Sequence, residues 1–102
     1  MSNIINTGSV SFGGDDLPII AGPCVIESKD HSLFMADAIA KICTKVGMQF
    51  VFKSSFDKAN RSAVGSFRGP NIDAGLRVLS DVKNEVGVPV LTDVHLPDQC
   101  TS

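Results

Sequence analysis

Apolar and polar positions change period several times along the chain, and each change marks a predicted element. Pro18 to Ala21 is a short apolar run closed by Gly22-Pro23, the pattern of a buried strand. Leu33, Phe34, Ala38, Ile39, Ile42, Cys43 and Val46 then fall at helical spacing. Ser28 or Asp30 is placed to cap this helix and Gly47 to stop it. Gln49 to Phe52 is a second apolar run and a second predicted strand. Gly69-Pro70 breaks the segment that follows. Asn71 then caps a helix carrying Ile72, Leu76, Leu79, Val82 and Val86, stopped by Gly87. Val88 to Leu91 is the third strand, and Pro97 or Asp98 offers a start for one more helix.

The order is strand, helix, strand, helix, strand, and the strands are almost continuously apolar. That predicts an α/β fold with a parallel sheet and helical crossovers. Residues 1–16 are polar and Gly-rich, with a weak alternation from Ile4 to Phe12, so they read as a hairpin or a loose tail. Residues 17–102 form the α/β domain.

Composition narrows the class. The chain has 102 residues, which suits one small domain, and a net charge of -2, which argues against general nucleic-acid binding. No apolar run approaches the roughly 20 residues of a membrane span. Met1 to Asp16 lacks a cationic start followed by an apolar stretch, so no secretory signal is expected. The three cysteines, Cys24, Cys43 and Cys100, cannot all pair within the chain, and a reducing cytoplasm is the simpler expectation.

Charge then singles out one place. From Lys53 to Arg68 there are four cationic side chains and one acid, Asp57, in a chain that is acidic overall. A solvated loop is the plain alternative. Focused positive charge directly after a strand, however, suits a phosphate or carboxylate. Cys24 and Glu27 follow the first strand, Lys53 to Ser62 the second, and Asp93 and His95 the third. In a parallel α/β fold these positions share the rim at the C-terminal strand ends, where sites form.

Within that rim, Arg61 offers a planar fork for phosphate and Lys58 a point charge, with Asn60 and Ser62 adding neutral hydrogen bonds. Two readings stand for Cys24: a small packing residue, or a thiolate able to reach a metal. His95 is either a structural histidine or, paired with Asp93, part of the site. Cys43 falls on the apolar stripe of the first helix and is expected in the core. Cys100 and His31 have no supporting context. There is no P-loop spacing, no Gly-x-Gly-x-x-Gly fingerprint and no Ser/His/Asp signature.

Four segments together resemble the 3-deoxy-D-manno-octulosonate 8-phosphate synthases. They are Ile20-Ala21-Gly22-Pro23-Cys24-Val25-Ile26-Glu27-Ser28, Phe50 through Ser62, Ser66-Phe67-Arg68-Gly69-Pro70, and Val90-Leu91-Thr92-Asp93-Val94-His95. The related 3-deoxy-heptulosonate-phosphate synthases share the Ala-Gly-Pro-Cys strand exit but differ after their second strand. Lys53 to Ser62 therefore decides between the two. The resemblance implies a (β/α)8 barrel that condenses phosphoenolpyruvate with arabinose 5-phosphate and water, releasing phosphate, for lipopolysaccharide synthesis. It implies a cytoplasmic enzyme of Gram-negative bacteria, and a tetramer. By motif position it places Lys53 and Lys58 on phosphoenolpyruvate, with Lys58 also near the sugar. Asn60, Arg61 and Ser62 would hold the sugar phosphate, Asp93 the sugar, and His95 would sit near the reacting centre. Cys24 matches a ligand position of the metal-dependent class, where the metal-independent class has asparagine, so a divalent metal is implied.

A complete barrel takes about 250 residues, so 17–102 amounts to about three βα units, truncated after the third strand. Cys24 alone cannot hold a catalytic metal, which takes about three protein ligands. The chain by itself is expected to be inactive and poorly folded, with an unpaired strand edge and exposed helix faces. A non-catalytic anion-binding module, an interaction fragment, and the heptulosonate-type reaction are the alternatives.

Overall fold

The computed structural model describes residues 4–14, 17–57, 69 and 71–101. The weak alternation near the N-terminus resolves as a hairpin. Strands β1 (Ile5–Thr7) and β2 (Val10–Phe12) pair antiparallel, with Ile5 opposite Phe12 and Thr7 opposite Val10. Gly8-Ser9 forms the two-residue turn between them. So short a hairpin has little stability of its own and needs a surface to pack on. Val10 is buried, and the Ser11 amide donates to the Gln49 side-chain oxygen at 2.8 Å. Gly8 lies against the ring of Pro89, close enough that a β-carbon there would sit 3.2 Å from Pro89 Cγ. Gln49 and Pro89 lead into the second and third parallel strands, so the hairpin covers the N-terminal end of the main sheet.

That sheet is formed by β3 (Ile19–Ala21), β4 (Phe50–Lys53) and β5 (Val90–Leu91), all parallel, in the order β3-β4-β5. Ile20 lies opposite Val51, Phe52 opposite Val90, and Lys53 opposite Leu91. The third strand is shorter than the apolar run from Val88 predicts. Pro89 has no N–H to give a ladder, although its carbonyl accepts from the Phe52 amide at 2.9 Å.

Helix α1 spans Lys29–Val46 and α2 spans Ile72–Val86. Ser28, not Asp30, is the cap of α1: its hydroxyl accepts from the His31 amide at 3.0 Å. Asn71 does the same for α2 through the Ala74 amide at 2.8 Å. Each such cap contributes about 1 kcal/mol. Gly47 and Gly87 end the two helices in the left-handed region, at φ 77° and 81°, which only glycine enters freely.

The two helices pack on each other and on the same face of the sheet. Ala36 and Cys43 of α1, Phe50 and Phe52 of β4, Leu79 and Val82 of α2, and Ile26 form the buried core between them. Cys43 is thus a core residue, as its place on the stripe predicts. The stripe is wider than the contact, however: Phe34, Ile42 and Val46 are exposed. The opposite face of the sheet carries Ile20, Val51 and Leu91. Val51 is buried in the central strand, whereas Ile20 and Leu91 remain about half exposed, at 47% and 42%. The outer strands are therefore less buried than their apolar runs predict, because one face of the sheet carries no second layer among the described residues. No helix among the described residues is long and apolar enough to cross a membrane.

Candidate active site

The C-terminal ends of β3, β4 and β5 are tied together by the segments that leave them. After β4 the chain stays extended through Ser54 and Ser55 and forms a parallel bridge with Val25. The Ser55 amide donates to the Cys24 carbonyl at 3.4 Å, and the Ile26 amide donates to the Ser55 carbonyl at 2.9 Å. On the other side, the Ser54 amide donates to the Leu91 carbonyl at 3.3 Å. Gly22 permits this closeness, since a β-carbon there would overlap the Lys53 carbonyl oxygen. Behind the rim, Gly75 lets α2 approach Phe56, which is buried.

This framework brings Lys53, Asp93 and His95 together from two adjacent strands. Lys53 ends β4, and Asp93 and His95 follow β5. Burial by itself would push the Asp93 carboxyl up. The Ser55 hydroxyl, Asp93's own backbone amide, and the charges of Lys53 and His95 outweigh this and hold it below the usual carboxylate range. Ser55 Oγ and Asp93 Oδ1 are both buried, and neither has a partner of strict hydrogen-bond geometry among the described residues. An ionised carboxylate at a strand end is an acceptor that the hydroxyls of a polyhydroxy ligand can donate to. Lys53 adds a cation beside it.

His95 stands at the edge of this group. Its Nε2 lies 2.7 Å from the Asp57 carbonyl oxygen, and its ring lies against Phe56 with centroids 5.9 Å apart.

The other expected site residues fall differently. Cys24 is exposed at the exit of β3, and its carbonyl rather than its thiol makes the contact to the rim. No three His, Cys, Asp or Glu side chains among the described residues are grouped to hold a metal, so these residues do not by themselves fit a metal centre. Glu27 pairs with His31 Nδ1 at 3.5 Å at the start of α1. Lys58, Asn60, Arg61 and Ser62 lie outside the described residues. Ser54 and Ser55 escaped individual notice in the sequence. Their signal was position: two hydroxyls directly after a buried strand, where the chain continues to pair.

The family model described as "DAHP synthetase I family" matches residues 2–102. A 2-dehydro-3-deoxyphosphooctonate aldolase of Synechococcus sp. is 57% identical over 89 residues, covering 87% of this chain and 31% of the relative. The protein of the same name from Magnetococcus marinus is 54% identical over 99 residues, covering 96% of this chain and 34% of the relative. That from Rickettsia felis is 48% identical over 103 residues, covering 99% and 37%. The chain thus spans about a third of the length of the curated relatives it matches.

Proposed function

This chain belongs to the DAHP synthetase I family, and from that premise we propose that the protein carrying it condenses phosphoenolpyruvate with D-arabinose 5-phosphate and water. The products are 3-deoxy-D-manno-octulosonate 8-phosphate and inorganic phosphate. One carbon–carbon bond forms, between the phosphoenolpyruvate methylene and the sugar aldehyde carbon. Three carbons and five give the eight of the octonate in the relatives' names.

The observation that carries the reading is the meeting of Lys53 and Asp93 on neighbouring strands, with Asp93 held in its charged form. Lys53 supplies a cation for the carboxylate or phosphate of phosphoenolpyruvate. Asp93 accepts hydrogen bonds from sugar hydroxyls, with Ser55 beside it. Lys58, by sequence, contacts phosphoenolpyruvate and the sugar, and Asn60, Arg61 and Ser62 hold the sugar phosphate. Both substrates are multiply anionic, so a fixed cationic rim lowers the cost of bringing their reacting carbons together.

In the same reading β3, β4 and β5 are consecutive strands of a (β/α)8 barrel. Their sequential order, the helices on one face and the apolar opposite face support it. A cytoplasmic tetramer used in lipopolysaccharide synthesis completes the proposal. Cys24 is one thiolate donor of a divalent metal. No neighbour among the described residues completes that metal's site.

The test is phosphate release by the complete natural chain, given phosphoenolpyruvate and either arabinose 5-phosphate or a four-carbon aldose phosphate. Release with the five-carbon sugar is the expected result. Release only with the four-carbon sugar would assign the heptulosonate reaction. Binding of arabinose 5-phosphate without release would leave an anion-binding module.

A further inference from the structure

Ser55 and Asp93 are neighbours on the rim, but only one of them is anchored. The Ser55 amide donates to the Cys24 carbonyl at 3.4 Å, and its carbonyl accepts from the Ile26 amide at 2.9 Å. Ser54 is fastened too, by its amide to the Leu91 carbonyl and by its hydroxyl to the Pro23 carbonyl. Ser55 is fully buried, with 0% of its surface exposed. Asp93 comes after β5 has ended, and no backbone hydrogen bond ties its main chain to a neighbouring strand among the described residues. The direction of its carboxylate is therefore set chiefly by the side chains around it, Ser55, Lys53 and His95.

Register explains why Ser55 and Asp93 meet. Lys53 and Leu91 are the last pair of the β4–β5 ladder, and each of the two residues stands two positions beyond it. In extended chain that spacing returns to the same face. Lys53 is half-buried and His95 exposed, whereas Ser55 is locked in place. An ammonium on a flexible stem gives charge with little direction, and a fixed hydroxyl gives direction. We propose that Ser55 is a positioning residue: its hydroxyl donates to Asp93 Oδ1, turning the other carboxylate oxygen toward a sugar hydroxyl, and Ser55 itself touches neither substrate. A residue with no exposed surface presents no face to a ligand, which separates this role from direct contact. Hydrogen bonds inside an active site often close fully only around the substrate. The proposal rests on the reading that Asp93 binds the sugar.

A double-mutant cycle in the complete natural chain tests it. Ser55→Ala should lower kcat/KM for arabinose 5-phosphate about tenfold, as loss of one hydrogen bond to a charged group allows. The KM for phosphoenolpyruvate should stay within about twofold. In an Asp93→Ala background, adding Ser55→Ala should change kcat/KM for the sugar phosphate by less than about twofold, because the group it orients is gone. A tenfold loss in both backgrounds, or an equal rise in KM for both substrates, would overturn the proposal. If Ser55→Ala does not fold, Ser55→Cys, close in size and a weaker donor, carries the same comparisons with the same two outcomes. If the native chain releases no phosphate, the proposed reaction fails. The denaturation midpoints of the same four proteins then decide whether Ser55 holds Asp93: losses that fall short of additive support the contact, and additive losses remove it.

Discussion

The Ser54 hydroxyl donates to the carbonyl oxygen of Pro23 at 2.8 Å, fastening the exit of β4 to the exit of β3. Ser54 is fully buried and Pro23 partly so. Ser54→Ala should cost about 0.5–1.5 kcal/mol, the net worth of one hydrogen bond. Urea unfolding of the complete chain measures this directly. An unchanged midpoint would show that Pro23 finds another donor.

Gly75 sits where α2 passes Phe56. A β-carbon at this position would lie 2.6 Å from Phe56 Cβ. Alanine favours a helix over glycine by about 1 kcal/mol, so at an open site Gly75→Ala would stabilise. Here the overlap should win, with a net loss of about 1–3 kcal/mol. The melting temperature gives the sign, and a rise would mean that Phe56 can move aside.

Asp93 makes the acid side of the stability profile informative. Its folded-state pKa is depressed, so its contribution is fully present above the unfolded carboxylate value of about 3.9 and is lost as pH falls through the lower folded value. Asp93→Asn lacks that contribution at every pH. The gap in melting temperature between native and variant should therefore narrow as pH falls below about 4. A gap that stays constant or widens would show that the carboxylate is not held by its neighbours.

The three thiols should react in two classes. Cys24 and Cys100 are exposed and Cys43 is buried, so a thiol reagent should label the first two before the third. If Cys24 is a metal donor, adding a divalent cation to metal-stripped complete chain should slow labelling at Cys24 and leave Cys100 unchanged. Equal rates at Cys24 with and without the cation would remove it from any metal site.

Much of this was legible in the sequence because the signals are local. Ser28 and Asn71 lie where a helix start needs a side-chain acceptor, and Gly47 and Gly87 where its end needs a left-handed turn. The parallel sheet follows from apolar runs separated by helices, and that topology gathers Lys53, Asp93 and His95 on one rim. What escaped depends on distant partners. The hairpin is fixed by Gln49, 38 residues from Ser11, which no alternation within Ile4 to Phe12 announces. Ser55 becomes notable only once Asp93 is seen above it. The engagement of His95 with the Asp57 carbonyl is likewise invisible to sequence, because a main-chain acceptor carries no residue identity.

The order of strands in the sheet is also their order along the chain, and this bears on how the protein is made. A strand leaving the ribosome finds its partner already laid down, with one helix between them among the described residues. The growing sheet needs no later segment to be inserted between earlier ones. Assembly can then keep pace with translation, which proceeds at about 5–20 residues per second. When β4 has paired with β3, its free edge is the one that β5, the next strand synthesised, occupies.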